Sequence, residues 1–400
     1  MSTKKKILFV AEAITLAQMV RLVSLSRALD RDRYDVHFAS SQFPEFVFGG
    51  LQITRWPLWG LSSKEALGRI ASGKRLYSAR VLRKYIESDR IAINAVKPDL
   101  IVGDLRWSLA VSAPSSGIPV ASLINAYWSP YAERDGFPLP EHPIVRLLGV
   151  RMAGQYFPRV IPKVFAHFAA PLNQERERAG LPPIGSLLEV LTFGDHTLYA
   201  DPPELIATRN LPATHHFLGP VLWTAPGELP AEWGANPARP PVYVTLGSSG
   251  ADATLPAVLA GLEKLDVDVL LATAGRAAPQ KLPGNVRVAP FVDGAAACSR
   301  ARVVVHNGGS STGYQALAAG RPVLGIPANF DQYLATERID AAGAGLMLRS
   351  GTCKPDEVGV AVDRLLREPA FDEAARRLGS VFAKHNSGSR FAGFVDAAVS

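Results

Sequence analysis

The chain has 400 residues, of which 48% are hydrophobic and 20% charged, and its formal net charge is +7. This length favours two domains, and the composition excludes disordered, fibrous and membrane-spanning classes, since no stretch approaches ~20 apolar residues. Only two cysteines occur, Cys298 and Cys353, so we expect neither a disulfide framework nor a CxxC zinc site, and a cytoplasmic location.

The first half alternates apolar runs with helical patterns. A helix is predicted over Thr15–Leu29, and strands are predicted at four places: Lys6–Glu12, Tyr34–Ser40, Pro98–Asp104 and Gly117–Asn125. Continuous apolar strands that are spaced by helices indicate a parallel sheet covered on both faces.

A basic stretch interrupts this half. Between Lys64 and Lys97 there are nine lysines and arginines against three acidic residues. A solvated helix face is the simpler interpretation, and contact with an anionic lipid or another anionic partner is the alternative. No nucleic-acid-binding motif accompanies the stretch, so we expect no nucleic-acid partner, whereas peripheral contact with a membrane stays open. The oligomeric state is not predicted.

A proline-rich segment divides the chain. Residues 219–241 contain six prolines and little periodicity, after which strand and helix patterns alternate again. We therefore predict an α/β protein with two Rossmann-like domains. Residues 1–220 form the first domain, to which residues 385–400 return as a helix; residues 221–241 form a linker, and residues 242–384 form the second domain. The parallel sheets should face a central cleft, because ligands of such sheets bind at the carboxyl ends of the strands.

The segment Val303–Leu317, VVVHNGGSSTGYQAL, predicts a strand, a glycine turn and a helix that begins near Ser311 or Thr312 with a hydroxyl cap. Gly308 and Gly309 let the backbone approach a ligand closely, and the first N–H groups of the helix attract anions. His306, at the end of the strand, adds a ring donor. A glycine turn with no ligand is the alternative interpretation.

Two further features favour a ligand. TLGSSG, Thr245–Gly250, is a second glycine and serine turn after a strand, so two turns could hold both phosphates of a diphosphate. Asp331 and Gln332 follow another strand end, and a carboxylate beside an amide suits a ligand that is rich in hydroxyls. A diphosphate joined to a polyol is a nucleotide sugar.

The run His306–Ile339 resembles the donor signature of GT-B nucleotide-sugar glycosyltransferases, the class of the UDP-glycosyltransferases and macrolide glycosyltransferases. The resemblance covers most of the chain and is strongest over residues 242–345. It implies a transferase for natural-product glycosylation that uses a UDP-sugar or dTDP-sugar, with UDP favoured, and needs neither another cofactor nor a metal. The implied donor contacts are Gly247, Ser248, Val288, Phe291, His306, Gly308, Gly309, Ser310, Ser311, Thr312, Gln315, Asp331 and Gln332.

Two donor positions depart from the pattern of this family. Plant members have a tryptophan for base stacking where Val288 stands. A glutamate often binds the ribose diol where Gln315 aligns. The nucleobase, uracil or thymine, is therefore left open.

The catalytic base is a third departure. In the family a histidine on the loop after the first strand, oriented by an aspartate later in the same half, usually deprotonates the acceptor. Asp104 stands where the aspartate belongs, but the histidine position aligns with Gln18, and a carboxamide is not basic near neutral pH. Three alternatives stay open: Asp104 or Glu12 acts directly or through water, His142 acts from a loop, or the protein binds nucleotide sugars with little or no transfer.

The acceptor is expected to be an apolar small molecule or a lipid, because aromatic and proline residues are concentrated in predicted loops of the first half, including residues 156–168. Trp128, Tyr131 and His142 are the candidate contacts, although ordinary core packing would explain the same residues. A hydrolase is the remaining alternative: GSSTG, Gly309–Gly313, fits a nucleophile elbow with Ser311 as the nucleophile, but it leaves the other turn and Asp331–Gln332 unexplained.

Overall fold

The computed structural model describes residues 4–247 and 252–400. Up to residue 221 the strands are β1 Lys5–Ala11, β2 Tyr34–Ser40, β3 Thr54–Pro57, β4 Leu100–Asp104, β5 Val120–Ile124, β6 His196–Tyr199 and β7 His215–Phe217. The helices of this stretch are α1 Leu16–Ser26, α2 Glu45–Phe48, α3 Ser63–Ala71, α4 Ala79–Val96, α5 Leu109–Ser112, α6 Pro143–Leu148, α7 Val150–Arg178 and α8 Leu187–Leu191.

After residue 221 the strands are β8 Pro241–Thr245, β9 Asp268–Ala272, β10 Val286–Ala289, β11 Val303–His306, β12 Val323–Gly325 and β13 Gly345–Met347. The helices are α9 Leu255–Glu263, α10 Gly294–Arg300, α11 Ser310–Ala318, α12 Phe330–Ala341, α13 Pro355–Arg367, α14 Pro369–Ala383 and α15 Ser387–Ala398. None of these helices, within the described ranges, has the length and apolarity that crossing a bilayer requires.

The first compact unit contains the residues up to Phe137, Gly154–Val221 and His385–Ser400. Its seven strands are all parallel, in the order β3-β2-β1-β4-β5-β6-β7. Both faces of the central strand β1 are buried: Leu8 packs with Ile101 on one face, and the ring of Phe9 lies 5.8 Å from that of Phe391 in α15 on the other. Strands β2 and β3 are added on one side of β1, and β4 to β7 on the other. The boundary between β1 and β4 is therefore the switch point, where open α/β sheets bind ligands.

The second unit contains Pro138–Ala153 and Leu222–Lys384. Its six parallel strands have the order β10-β9-β8-β11-β12-β13, with the corresponding switch point between β8 and β11. Alternate strand residues such as Val244, Leu271 and Val305 form one core with α9 and α13. The residues between them, such as Leu270 and Val304, are buried on the opposite face. This two-sided burial explains the uninterrupted apolar runs.

The proline-rich segment 222–241 packs with the second unit. Trp233 is completely buried, and its indole N–H donates to the carbonyl of Asp268 at 3.0 Å. The carboxylate of Asp268 accepts from the backbone N–H of Gly234 at 2.7 Å and pairs with Arg287. The proline-rich segment is therefore an irregular coil that is held against the second unit by Trp233 and Gly234.

Residues 156–168, predicted as a loop, are helical, and that prediction is wrong. They belong to α7, which includes Pro158, Pro162 and Pro171. A stripe of buried residues explains the helix, because it keeps the spacing of one helical face despite the prolines. The stripe consists of Ala153, Ile161, Phe165, Ala169 and Leu172.

Candidate active site

The two glycine turns of the second unit lie side by side. Strands β8 and β11 are neighbours, with His306 opposite Thr245 in the register, so both turns leave the sheet at its switch point. An ideal Cβ on Gly247 would lie 3.1 Å from Nδ2 of Asn307. Gly247, the last described residue of the first turn, therefore lies beside the turn that follows β11. Ser248, predicted beside Gly247, lies outside the described residues.

Gly308 is held in a conformation that requires glycine. Its φ is +81°, and an ideal Cβ would lie 2.5 Å from Oγ1 of Thr336 and 3.1 Å from Cβ of Pro327. The Thr336 hydroxyl donates to the carbonyl of Gly308 at 3.1 Å. The turn is therefore packed against α12, and its shape is fixed before any ligand arrives.

Helix α11 begins at Ser310, with Gly309 as its N-cap and without a side-chain cap. The helix begins one residue before the predicted start near Ser311. The predicted hydroxyl cap is wrong, because glycine occupies the cap position and the Asn307 side chain accepts from the N–H of Gly309 at 3.2 Å. Since the first intrahelical bond runs from Gly313 to Gly309, the N–H groups of Ser310, Ser311 and Thr312 precede the helical hydrogen-bond ladder. They form the positive end of the helix.

His306 is neutral and has one unused donor. Its Nδ1 accepts from the N–H of Gly308 at 3.2 Å, so the proton of the neutral ring is on Nε2. The ring is completely buried, and burial lowers the pKa of His306 to about 4. Among the described residues Nε2 has no hydrogen-bond partner. Nε2 is itself buried, so His306 can donate this hydrogen bond to an anion only after the surrounding residues shift to uncover it, and the donation adds no positive charge.

Asp331 and Gln332 occupy different environments in the first turn of α12. Asp331 is exposed. Gln332 is buried and completes a capping box: its Oε1 accepts from the N–H groups of Ala328 at 2.9 Å and Asn329 at 3.3 Å, and its own N–H donates to Asn329. The Gln332 oxygen therefore orders the helix start that carries the Asp331 carboxylate.

The residues predicted to contact the nucleobase and the ribose also lie in different environments. Val288, in β10, is partly buried against the sheet core, whereas the ring of Phe291 is 44% exposed. Gln315 donates its amide to the carbonyl of Trp223 and packs against Gly294. Of these three side chains, Phe291 offers the largest exposed apolar surface.

Asp104 lies in a buried polar network at the switch point of the first sheet. Arg21 of α1 binds both carboxylate oxygens of Asp104, through Nε at 3.0 Å and Nη2 at 2.8 Å. Its Nη1 donates to Asn125 at 2.6 Å, and Asn125 donates to Asp201 at 2.8 Å. All four residues are less than 10% exposed. Sequence reasoning missed Arg21, Asn125 and Asp201, although Asn125 directly follows β5 and Asp201 is the second residue after β6.

Glu12 belongs to a second buried cluster. Its carboxylate accepts from the hydroxyl of Tyr77 at 2.7 Å and from the N–H of Ala13 at 3.0 Å, and Nη1 of Arg106 lies 3.9 Å away. Arg106 also pairs with Asp89 at 2.8 Å. Burial raises the pKa of Glu12 above its usual value, against the opposing effects of Arg106 and the hydrogen bonds. Apart from Glu12 itself, no sequence signal pointed to this cluster.

Gln18 occupies position N3 of a capping box with Thr15, the N-cap residue of α1. Its Oε1 accepts from the backbone N–H of Thr15 at 3.2 Å and from the Thr15 hydroxyl at 2.6 Å. The side chain at the position of the family histidine therefore stabilises the start of α1.

The three candidate acceptor contacts lie in short segments. Trp128, which is 9% exposed, ends a 3₁₀ turn after β5, and the ring of Tyr131 stacks edge-on against His215 at 5.3 Å. His142 caps α6 in the second unit, where its Nδ1 accepts from the N–H of Ile144 at 3.2 Å. The acceptor and donor roles of all the site residues stay predictions.

The sheets and the glycine turns define a GT-B glycosyltransferase. The family model for the C-terminal domain of erythromycin biosynthesis protein CIII-like proteins matches residues 256–388. Among solved structures, the spinosyn forosaminyltransferase is similar with a TM-score of 0.71 at 22% identity, covering 99% of this chain and 100% of that one. The glycosyltransferase VinC in complex with dTDP has a TM-score of 0.66 at 23% identity, covering 98% and 99%.

The chain belongs to the PGL/p-HBAD biosynthesis glycosyltransferases. It is 46% identical over 393 residues to such a glycosyltransferase of Mycobacterium tuberculosis, covering 98% of this chain and 90% of that protein. It is 45% identical over 387 residues to a PGL/p-HBAD biosynthesis rhamnosyltransferase of Mycobacterium bovis, covering 96% and 86%. The predicted GT-B class and glycosyltransferase activity are confirmed.

Replacing Gly308 by alanine should destabilise the protein more than the same change at Gly309. Gly308→Ala imposes a positive φ and a clash with Thr336, so we expect the free energy of unfolding to fall by about 2–4 kcal/mol. Gly309 has a φ of −70°, and Gly309→Ala should cost about 1 kcal/mol or less. Denaturant titration measures both. Equal losses would contradict the proposed fixed shape of the turn.

The buried His306 should make the protein less stable in mild acid. An unfolded histidine has a pKa of about 6.5, so between pH 6.5 and 4 the unfolded chain binds a proton that folded His306 does not. Stability is therefore lost as the pH falls, by about 2 kcal/mol at pH 5 relative to pH 8. His306→Gln lacks this titrating group. The free energy of unfolding of the variant, relative to that of wild type, should therefore rise by about 2 kcal/mol between pH 8 and pH 5. Parallel curves of unfolding free energy against pH would refute the buried neutral ring.

Proposed function

We propose that this protein is a metal-independent inverting glycosyltransferase. It moves a hexosyl group from a UDP-sugar or dTDP-sugar to a hydroxyl of an apolar small molecule or lipid. The M. bovis relative is a rhamnosyltransferase by name, which supports a hexosyl donor, since rhamnose is a deoxyhexose. The dTDP in the structure of VinC supports the thymidine nucleotide.

The observation that carries the proposal is the group of donors at the switch point between β8 and β11. The unused Nε2–H of His306, the first N–H groups of α11 and the turn at Gly247 lie at the ends of neighbouring strands. A diphosphate has oxygen acceptors for each of them. The exposed carboxylate of Asp331 would accept from sugar hydroxyls, and the exposed face of Phe291 would contact the nucleobase.

These donors would also assist the chemical step. The acceptor oxygen attacks the anomeric carbon opposite the diphosphate, the bond between that carbon and the diphosphate oxygen breaks, and the nucleoside diphosphate leaves with the bonding electrons. Negative charge then grows on the leaving group, where oriented N–H dipoles stabilise it most. The acceptor proton passes to a base of the first unit.

Asp104 and Glu12 are the proposed bases, with Asp104 preferred because it ends β4 at the switch point of the first sheet. Both carboxylates are completely buried and paired, Asp104 with Arg21 and Glu12 with Tyr77. Proton transfer therefore requires that acceptor binding opens the pairing or that a water connects the two groups. His142 is the alternative base.

An apolar or lipid acceptor would enter beside Trp128 and Tyr131. We further propose that the enzyme is cytoplasmic and in peripheral contact with the inner face of a membrane, where such an acceptor would be found. The hydrolase alternative would pair Ser311 with His385 and with Asp340 or Asp363. It has little support, because His385 bonds to Glu204 at 3.0 Å and Asp363 pairs with Arg367 at 2.8 Å.

Calorimetric titration tests the donor site. UDP or dTDP should bind and the nucleoside monophosphates should bind much more weakly. Removing one hydrogen bond to a charged group in His306→Ala should weaken diphosphate binding about 10- to 100-fold. Asp331→Ala is the matched control, because it should weaken the nucleotide sugar and leave the free diphosphate unaffected. Equal affinity for monophosphate and diphosphate, or unchanged binding by His306→Ala, would refute the diphosphate site.

Single-turnover transfer at saturating donor tests the base. Loss of a general base should slow transfer by about 10²- to 10⁴-fold with nucleotide affinity retained, and we expect this for Asp104→Asn. Glu12→Gln should retain transfer within about tenfold. The pH profile separates the roles, since only the base variant should lose the rise of rate with pH. Should wild type bind the donor and give no transfer with any apolar acceptor, the binding-protein alternative would replace the enzyme.

A further inference from the structure

Helix α7 exposes an unusual amount of apolar surface. Tyr156 is 54% exposed and Val160 is 47% exposed, and their spacing of four residues puts them on one face of the helix. Earlier on the same helix, Val150 is 46% exposed and Met152 is 50% exposed. Exposed apolar residues in such a run, unlike isolated ones, are typical of an interaction surface.

The charge of this part of the chain is entirely positive. From residue 142 to residue 174 there are four arginines and lysines and no aspartate or glutamate. Arg159 and Lys163, next to Val160 on α7, are exposed, and no carboxylate among the described residues pairs with either. An anionic surface would complement these side chains.

A second acid-free segment meets the same helix. Residues 66–86 contain six arginines and lysines and no acidic residue. Arg75 of this segment bonds to His167 of α7, with Nη2 and Nδ1 2.9 Å apart. A depression of about 690 Å³ between them is lined by Arg69, Gly73, Lys74, Arg75 and His167. The contact therefore joins two positive segments, 92 residues apart in sequence, into one surface of the first unit.

We propose that this surface binds an anionic phospholipid bilayer. We call it the α7 face and define it by Tyr156, Arg159, Val160, Lys163 and His167 with Lys74 and Arg75. Apolar side chains that enter the headgroup region beside lysines and arginines that bind anionic headgroups are the features of a peripheral membrane surface. Arg69 of the depression pairs with Glu65 at 2.8 Å, whereas no ion pair is formed by Lys74, Arg159 or Lys163 with the described residues. These unpaired cations beside exposed apolar side chains favour an anionic lipid surface.

The inference rests on the proposed function, because an enzyme with an apolar or lipid acceptor has a reason to bind a membrane. It adds the surface by which the enzyme would bind. The solvated-face interpretation of the basic stretch explains the cations alone. It does not explain why they adjoin exposed apolar side chains on α7.

Vesicle sedimentation with the full chain tests the proposal. Wild type should bind vesicles of phosphatidylglycerol and phosphatidylcholine and should not bind phosphatidylcholine alone. Val160→Ser with Lys163→Glu should weaken binding at least about tenfold. The matched control is Lys281→Glu with Leu282→Ser, an exposed cation and a 39% exposed leucine of the second unit, which should change binding by less than about twofold.

Equal losses in the two variants would overturn the proposal, because net charge alone would then explain the binding. Wild type that binds neither kind of vesicle would also overturn it. Should Val160→Ser with Lys163→Glu fail to fold, Arg159→Gln with Lys163→Gln makes the same comparison at exposed positions. Donor titration of each variant separates the two proposals. Vesicle binding needs no nucleotide, so a failed donor titration would leave the α7 face standing, and absent vesicle binding would leave the donor site standing.

Discussion

The parallel pairing of β8 with β11 is the constraint on which the proposed donor site depends. The two strands are far apart in sequence, and their register sets His306 opposite Thr245, so that both glycine turns leave the sheet at one point. A shift by one residue would turn His306 to the opposite face of the sheet. Burial of Val244 and Val305 in the same core keeps the register, so apolar packing determines where the polar donors lie.

Two glutamines show that a residue at a motif position of the family can have a capping role in the local structure. Gln18 and Gln332 stand at positions where the family resemblance implies catalysis or sugar binding, and both accept hydrogen bonds at the start of a helix. The signal was present in the sequence, since Thr15 and Asn329 each precede a glutamine by three residues, which is a capping-box spacing. A motif at a helix start has to be tested against its capping role before a chemical role is assigned.

The long central strands, the two-part organisation and the glycine turns could be predicted from the sequence, because uninterrupted apolar runs are typical of buried parallel strands and paired glycines are typical of tight turns. The short strands β3, β6, β7 and β13 were missed, since three or four residues carry no measurable periodicity. Helix α7 was obscured by its prolines.

The polar networks of the first unit could not be predicted from the sequence for a different reason. Arg21 bonds to Asp104 and Asn125, which are 83 and 104 residues away in sequence. Such pairings depend on the order of the strands in the sheet, which the sequence does not state. Asp104 could be proposed from its position, but its partner could not.

The division of the chain into units has a practical consequence. Arg349 pairs with Glu141 at 2.9 Å and donates to the carbonyl of Leu139, and the hydroxyl of Tyr333 donates to Glu141 at 2.6 Å. The segment Pro138–Ala153 is thus an integral part of the second unit, although its sequence lies between two segments of the first unit. A fragment cut at residue 222 would leave Arg349 and Tyr333 without these partners, so an isolated second unit needs Pro138–Ala153 grafted back.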